Sequence, residues 1–170
     1  MEYKYAKNCN YEDFASGRVL YGIGGLSNFP VRLANEIYGR CLQYLNKKED
    51  ICLYDCCCGG AYSLTVLGFL NQRSISRIIA SDIDNKMLET ARLNLSLLSE
   101  DGMKRRIDEL NLLYKRFNKE SHREAIESAI RLLNMIQKEI SVQVFRAHAL
   151  QGIEIDVKPD IIITDVPYGH

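Results

Sequence analysis

Apolar positions along this chain change their period several times, and each change marks an element. After Phe29-Pro30, the residues Val31, Leu33, Ala34, Ile37, Tyr38, Cys41, Leu42 and Leu45 recur at three- and four-residue spacing, which predicts a helix with one buried face. Ile51-Cys-Leu-Tyr-Asp55 is instead a short unbroken apolar run ending in an acid, the pattern of a buried strand. Tyr62 to Leu70 reads as a helix, and Ser74 to Ser81 as a second buried strand that ends at Asp82-Ile83-Asp84. Asn85 to Leu98 places Met87, Leu88, Ala91, Leu95 and Leu98 on one side of a helix. Val142 to Ala147 is a third strand; Asp160 to Val166, introduced by Pro159, is a fourth.

Alternating strand and helix patterns imply βαβ units, an α/β fold and a mostly parallel sheet with helices on both faces. The stretch from about 102 to 140 is charged and helical in pattern, enough for two helices. A crossover needs about a dozen residues, so this stretch reads as a helical insertion between the second and third strands. Residues 1–28 form an N-terminal extension, rich in tyrosine and charge to about Leu20 with a short helix or strand, followed by the glycine-rich loop Tyr21-Gly-Ile-Gly-Gly-Leu-Ser-Asn28. Residues 29–170 form the main domain.

The 170 residues suit one domain, and 46% hydrophobic with 26% charged residues is enough for a packed core. Twenty-two basic and 22 acidic residues cancel, so any attraction for nucleic acid has to be local. No run approaches the roughly 20 apolar residues that span a bilayer, and the polar start MEYKYAKNCNYED is no secretory signal. The expected setting is therefore cytoplasmic, with the six cysteines as reduced thiols and no membrane partner.

The stretch Asp55-Cys-Cys-Cys-Gly-Gly-Ala-Tyr62 carries the first chemistry. Three adjacent cysteines in a tight turn point in different directions, whereas metal sites use spaced pairs, and Cys9, Cys41 and Cys52 lie singly elsewhere. No metal is expected; small residues packed around a strand-to-helix turn explain them better. A nucleophilic cysteine would need a base, and no histidine is placed by sequence to supply one. A glycine-rich turn after the first strand is where open parallel sheets bind ligands. Asp55 leads this turn, and a carboxylate there repels a diphosphate but suits a cation. S-adenosylmethionine, with its ammonium and sulfonium groups, is such a ligand. Asp82 ends the second strand, where an acid accepts hydrogen bonds from ribose hydroxyls; this fits NAD as well. Asp84 is the better helix N-cap for the segment from Asn85. His148 follows the third strand, either beside an adenine edge or as a plain loop histidine.

The fourth strand empties into Thr164-Asp165-Val166-Pro167-Tyr168-Gly169. This is either a strand and turn or a site for an N–H-bearing substrate. In the second reading, Asp165 and the carbonyls up to Pro167 accept N–H bonds from a base nitrogen, localise its lone pair and stabilise the charge developing on it. Tyr168 stacks on the base and holds it in line.

Together these motifs resemble class I SAM-dependent methyltransferases with a DPPY-like fourth motif. They are closer still to the avilamycin-resistance rRNA methyltransferases, through Phe29-Pro-Val-Arg-Leu-Ala34, Asp55-Cys-Cys-Cys-Gly59, Ala80-Ser-Asp82 and Thr164-Asp-Val-Pro-Tyr-Gly169. The resemblance spans nearly the whole chain. It implies a Rossmann-like doubly wound sheet, S-adenosylmethionine as cofactor, and methylation of a guanine in large-subunit (23S) rRNA, in a setting of antibiotic resistance. It implies cofactor contacts from Asp55, Gly59 and Asp82, and places Asp165, Pro167 and Tyr168 at the target base. Cys57, Gly60, Ala61, Ile83 and His148 complete the expected cofactor set, with Arg32 near the cofactor loop also a candidate for RNA or substrate. Ala61 stands where a third glycine is usual, Val166 replaces the first proline of DPPY, and His148 stands where an acid often touches adenine. Such a sheet has seven strands against four here, so the complete protein is expected to carry three more.

Within the insertion, Lys104, Arg105, Arg106, Lys115 and Arg116 are candidate phosphate contacts. The interleaved acids Asp108, Glu109, Glu120, Glu124 and Glu127 equally suit a solvated face of paired charges. Rival readings are a methyltransferase acting on a protein or small molecule, an NAD-dependent oxidoreductase, which Asp55 disfavours, and a non-catalytic nucleotide-binding scaffold.

Overall fold

A computed structural model describes residues 2–24, 28–153 and 155–166. Four strands, β1 (Ile51–Asp55), β2 (Ile75–Asp82), β3 (Ser141–Arg146) and β4 (Ile161–Ile162), form one sheet in the order β3-β2-β1-β4. Every neighbouring pair is parallel. Asp55 lies opposite Ala80, and Asp82 opposite Arg146, so the acidic strand ends emerge along one rim. The chain leaves β1 toward β2 on one side, while β4 adds on the other. The order therefore reverses at β1, which opens a crevice beyond its carboxyl end.

Among the described residues, five helices accompany the sheet: α1 (Val31–Gln43), α2 (Tyr62–Leu70), α3 (Asn85–Ser96), α4 (Glu100–Phe117) and α5 (Glu120–Leu133). The insertion is a pair of helices packed on each other. Ser99 caps α4 by accepting from the Gly102 N–H at 3.1 Å, and Asn118, in the left-handed conformation at φ 46°, ends it. Gly102 is required by close approach, since a Cβ there would lie 1.9 Å from the Ser96 carbonyl oxygen. Asp84 caps α3 through the Lys86 N–H at 2.8 Å, as its position suggested.

Alternation along the strands divides the core. Ile51 and Leu53 join Ile75, Ile78 and Ala80 in a large cluster with the buried faces of all five helices. Cys52, Tyr54 and Ile79 face the other way and meet Cys56, Phe145, Ile153 and Ile155. The α/β parallel fold stands as expected, but among the described residues the helices pack into a single cluster. The fourth strand is shorter than its apolar run: regular pairing covers Ile161 and Ile162, extended by bonds from Asp160 N–H to Cys52 O and Ile163 N–H to Tyr54 O.

The N-terminal segment is woven into this core. Its regular structure is a 3-10 turn over Glu12–Phe14, and Ala6, Phe14, Val19 and Leu20 are buried. Glu36 of α1, with no exposed surface, accepts the N–H groups of Tyr5 at 2.6 Å and Ala6 at 3.0 Å, and its other oxygen accepts from Arg40 at 2.7 Å. Burial alone would raise its pKa, but these donors outweigh it and hold the carboxyl at about 2.

Candidate active site at the end of the first strand

The crevice is a cavity of about 640 Å³, of the size that takes a small-molecule cofactor. Asp55, Cys57, Gly59, Gly60, Asp82, Ile83, His148 and Asp165 all line it. The turn after β1 is tied to both strand-end acids. Cys57 N–H donates to Asp55 Oδ1 at 3.0 Å, Gly59 N–H to Asp82 Oδ2 at 2.8 Å, and Asp84 N–H to Asp82 Oδ1 at 2.9 Å. Gly59 adopts φ 51°, the left-handed region that a side chain disfavours.

Charge in the cavity is one-sided. Its described lining holds Asp55, Asp82, Asp84 and Asp165, and neither lysine nor arginine. Asp55 is 5% exposed, and its carboxyl is pushed up to about 6. Burial is the main cause, and the nearby Asp82 and Asp165 add to it against the Thr164 side chain and the Cys57 N–H. A diphosphate would meet this cluster with no counter-charge. A ligand cation would relieve it. Ile83 and Val166, 53% and 56% exposed, with Met87 provide apolar surface beside the acids.

Cys57 and Cys58 are poorly suited to act as nucleophiles. Burial raises the pKa of Cys57 and, with help from Asp55 and Asp82, that of Cys58 well above the ordinary thiol value. Cys58 instead holds the turn, its N–H donating to Ser81 O at 3.0 Å and its carbonyl accepting from Ala61 N–H at 2.7 Å.

Other expected residues sit elsewhere. Ala61 is buried beneath the cavity as the N-cap of α2, with φ 55° where glycine would be at ease. Arg32 does not line the cavity: its guanidinium lies 4.2 Å over the Tyr3 ring and donates to Ala6 O at 3.3 Å. His148, which does line the cavity, receives the Leu150 N–H on Nδ1 at 3.2 Å. On α4, Lys104, Arg105, Lys115 and Arg116 are exposed, Lys104 pairing with Glu100 at 2.9 Å and Arg116 lying 5.1 Å from the Phe117 ring. Arg106 is 9% exposed and turned inward, donating to Val19 O at 2.8 Å and Glu109 at 3.0 Å, so it offers no phosphate contact. Pro167 and Tyr168 lie outside the described residues. Sequence reading missed Tyr21, Ile23, Met87 and Asn94, which also line the cavity.

A family model described as rRNA methyltransferase AviRa matches residues 1–170. The chain belongs to this family. It is 40% identical to the 23S rRNA (guanine(2535)-N(1))-methyltransferase of Streptomyces viridochromogenes over 177 residues, covering 99% of this chain and 71% of that relative. Two solved structures of rRNA methyltransferase aviRa from Streptomyces viridochromogenes, at 2.4 and 1.5 Å, each superpose with a TM-score of 0.92 at 38% identity. Each covers 99% of this chain and 71% of the solved one. The superposition takes in the four-stranded parallel sheet of this chain. Among the described residues no helix is long and apolar enough to cross a membrane.

Proposed function

We propose that this chain is a methyltransferase that uses S-adenosylmethionine to methylate a guanine base of large-subunit rRNA. The observation that carries the cofactor reading is the cavity itself: among the described residues its lining holds acids, exposed apolar side chains and a glycine turn, with no lysine or arginine. The residues fit the cofactor. Asp55, buried among other acids, is matched by a ligand ammonium or sulfonium; Asp82 stands at the second strand end, where ribose hydroxyls donate to an acid; Ile83 and Met87 offer an apolar bed for adenine. When bound, S-adenosylmethionine would supply a methyl group already activated by positive sulfur, its S–CH3 bond breaking so that sulfur leaves with the electron pair as a neutral thioether.

The protein's part is therefore positioning and charge. Asp165, exposed at the cavity mouth after β4, accepts the N–H of a guanine ring nitrogen; taking its proton leaves the lone pair free to form the new N–CH3 bond. We take that nitrogen to be N1, the atom named for the Streptomyces viridochromogenes relative. A guanine paired in structured RNA has to be turned out of its stack to reach this depth. Lys104, Arg105, Lys115 and Arg116 give α4 an exposed basic surface for the RNA backbone.

The test is tritiated-methyl transfer to ribosomal subunits and bare rRNA, with mapping of the modified nucleotide. Label on one large-subunit guanine is expected, and its loss in Asp165→Ala with cofactor binding retained. Label on protein and not on RNA would refute the substrate assignment.

A further inference from the structure

Part of the cavity wall comes from a distant stretch of chain. Tyr21 and Ile23, in the N-terminal segment, line it beside the glycine turn. A Cβ on Gly60 would meet Ile23 Cδ1 at 2.9 Å and Thr90 Cγ2 at 3.2 Å, so this strap and the turn are in direct contact.

Two side chains pin the strap. Asn94, 1% exposed on α3, accepts the Tyr21 N–H on Oδ1 at 2.7 Å; its Nδ2 donates to Tyr21 O at 3.0 Å and Gly60 O at 2.8 Å. One amide thus joins α3, the strap and the glycine turn. Asparagine is a poor residue for a helix interior, and here every polar atom of its side chain has a backbone partner outside the helix. Arg106 of α4 is the second pin. Its Nε donates to Val19 O at 2.8 Å, and its guanidinium lies 4.1 Å over the Tyr21 ring. Glu109 closes the group, accepting from Arg106 at 3.0 Å and from the Tyr21 hydroxyl at 2.7 Å.

We propose that Asn94 and Arg106 are positioning residues that hold residues 19–23 as a wall of the methyl-donor site, so that the inserted helix α4 sets cofactor affinity. The inference rests on the reading of the cavity as an S-adenosylmethionine site. Arg106 does not line the cavity, and Asn94, which does, has its side-chain oxygen and nitrogen bonded to Tyr21 and Gly60: each acts through the strap, and releasing the strap opens the cavity on the side of the glycine turn. Arg106, a basic residue of the inserted helix, then serves cofactor binding rather than RNA binding.

The experiment is calorimetry of S-adenosylmethionine binding by the full chain, with steady-state kinetics on rRNA. Asn94→Leu loses the bonds to Tyr21 and Gly60 without adding charge to the cavity, and Arg106→Met loses the Val19 bond and the ring contact. Each is expected to raise the cofactor Kd and KM about tenfold, with kcat at saturating cofactor changed less than about threefold and rRNA affinity within about twofold. A general loss of folded protein would lower the active fraction and leave KM unmoved. Ile23→Ala, at a partly exposed position, removes wall surface without disturbing either pin, and should raise Kd about threefold. Folded variants that bind S-adenosylmethionine like the wild type overturn the inference; if the two pin variants do not fold, an unchanged Kd in Ile23→Ala overturns it. Wild-type protein that fails to bind S-adenosylmethionine would instead bring down the reading of the cavity.

Discussion

Glu36 and Asp55 are both carboxylates withdrawn from water, one under the N-terminal arm and one at the end of β1. Their surroundings drive them in opposite directions. Glu36 receives backbone N–H groups and an arginine and is held at about 2; Asp55 lies among other acids and is pushed up to about 6. The first is an anchor whose partners are all built into the fold. The second is an acid whose countercharge the fold does not provide, at a cost of roughly 3 kcal/mol when it ionises. A buried acid with its donors in place marks architecture. A buried acid set against other acids at the rim of a parallel sheet marks where a cationic ligand belongs.

The comparison sharpens first at Asp165, the exposed acid of the same cavity, which is neither kind of buried acid and to which we assign the proton-accepting role. Asp165→Ala should lower kcat for rRNA methylation by roughly a hundredfold to a thousandfold, with the S-adenosylmethionine Kd little changed by calorimetry. Asp55→Asn is next. Cofactor affinity should fall roughly ten- to a hundredfold, yet the variant should melt at or above the wild-type temperature at pH 8. The penalty for ionising Asp55 develops as pH rises from its ordinary 3.8 through about 6, so that advantage should fade below about pH 4. Asp55→Asn melting well below wild type at pH 8 would break the contrast.

Glu36→Gln should do the reverse, giving the largest drop in melting temperature of these variants while folded protein keeps its cofactor affinity. The stabilisation from Glu36 is complete above its ordinary 4.5 and is lost as pH falls toward about 2. In acid titrations followed by circular dichroism, the Gln variant and wild type should therefore converge below pH 4.5. The smallest effect is at the proposed RNA surface of α4: Lys115→Ala with Arg116→Ala should weaken rRNA binding a few-fold and flatten its salt dependence by roughly one to two charges.

Much of this was legible in the chain because it is local. Period changes located the four strands and five helices of the described residues, and the acid-turn-glycine sequence at 55–60 pointed to the residues that line the candidate cavity, since both depend on near neighbours. The fourth strand was overestimated because an apolar run reports burial, whereas pairing depends on how far β1 extends beside it. The strap was missed for a stronger reason. Tyr21 meets Asn94 across 73 positions, and Arg106 meets Val19 across 87, and no local pattern foretells such pairs. Arg106 in a run of basic residues looks like an RNA contact until the fold turns it inward, while its neighbour Arg105 stays exposed. Arg32 went the same way, covered by Tyr3.

The most direct test of the central claim is the calorimetric affinity for S-adenosylmethionine between pH 5 and pH 7, below the usual titration range of the ligand's α-amino group near 8, with NAD as the comparison. An acid at about 6 that must ionise to receive a cation predicts affinity tightening through this window, with a proton released on binding, and loss of that pH dependence in Asp55→Asn. Affinity that stays flat from pH 5 to 7, or NAD bound in preference to the adenosyl cation, would contradict it.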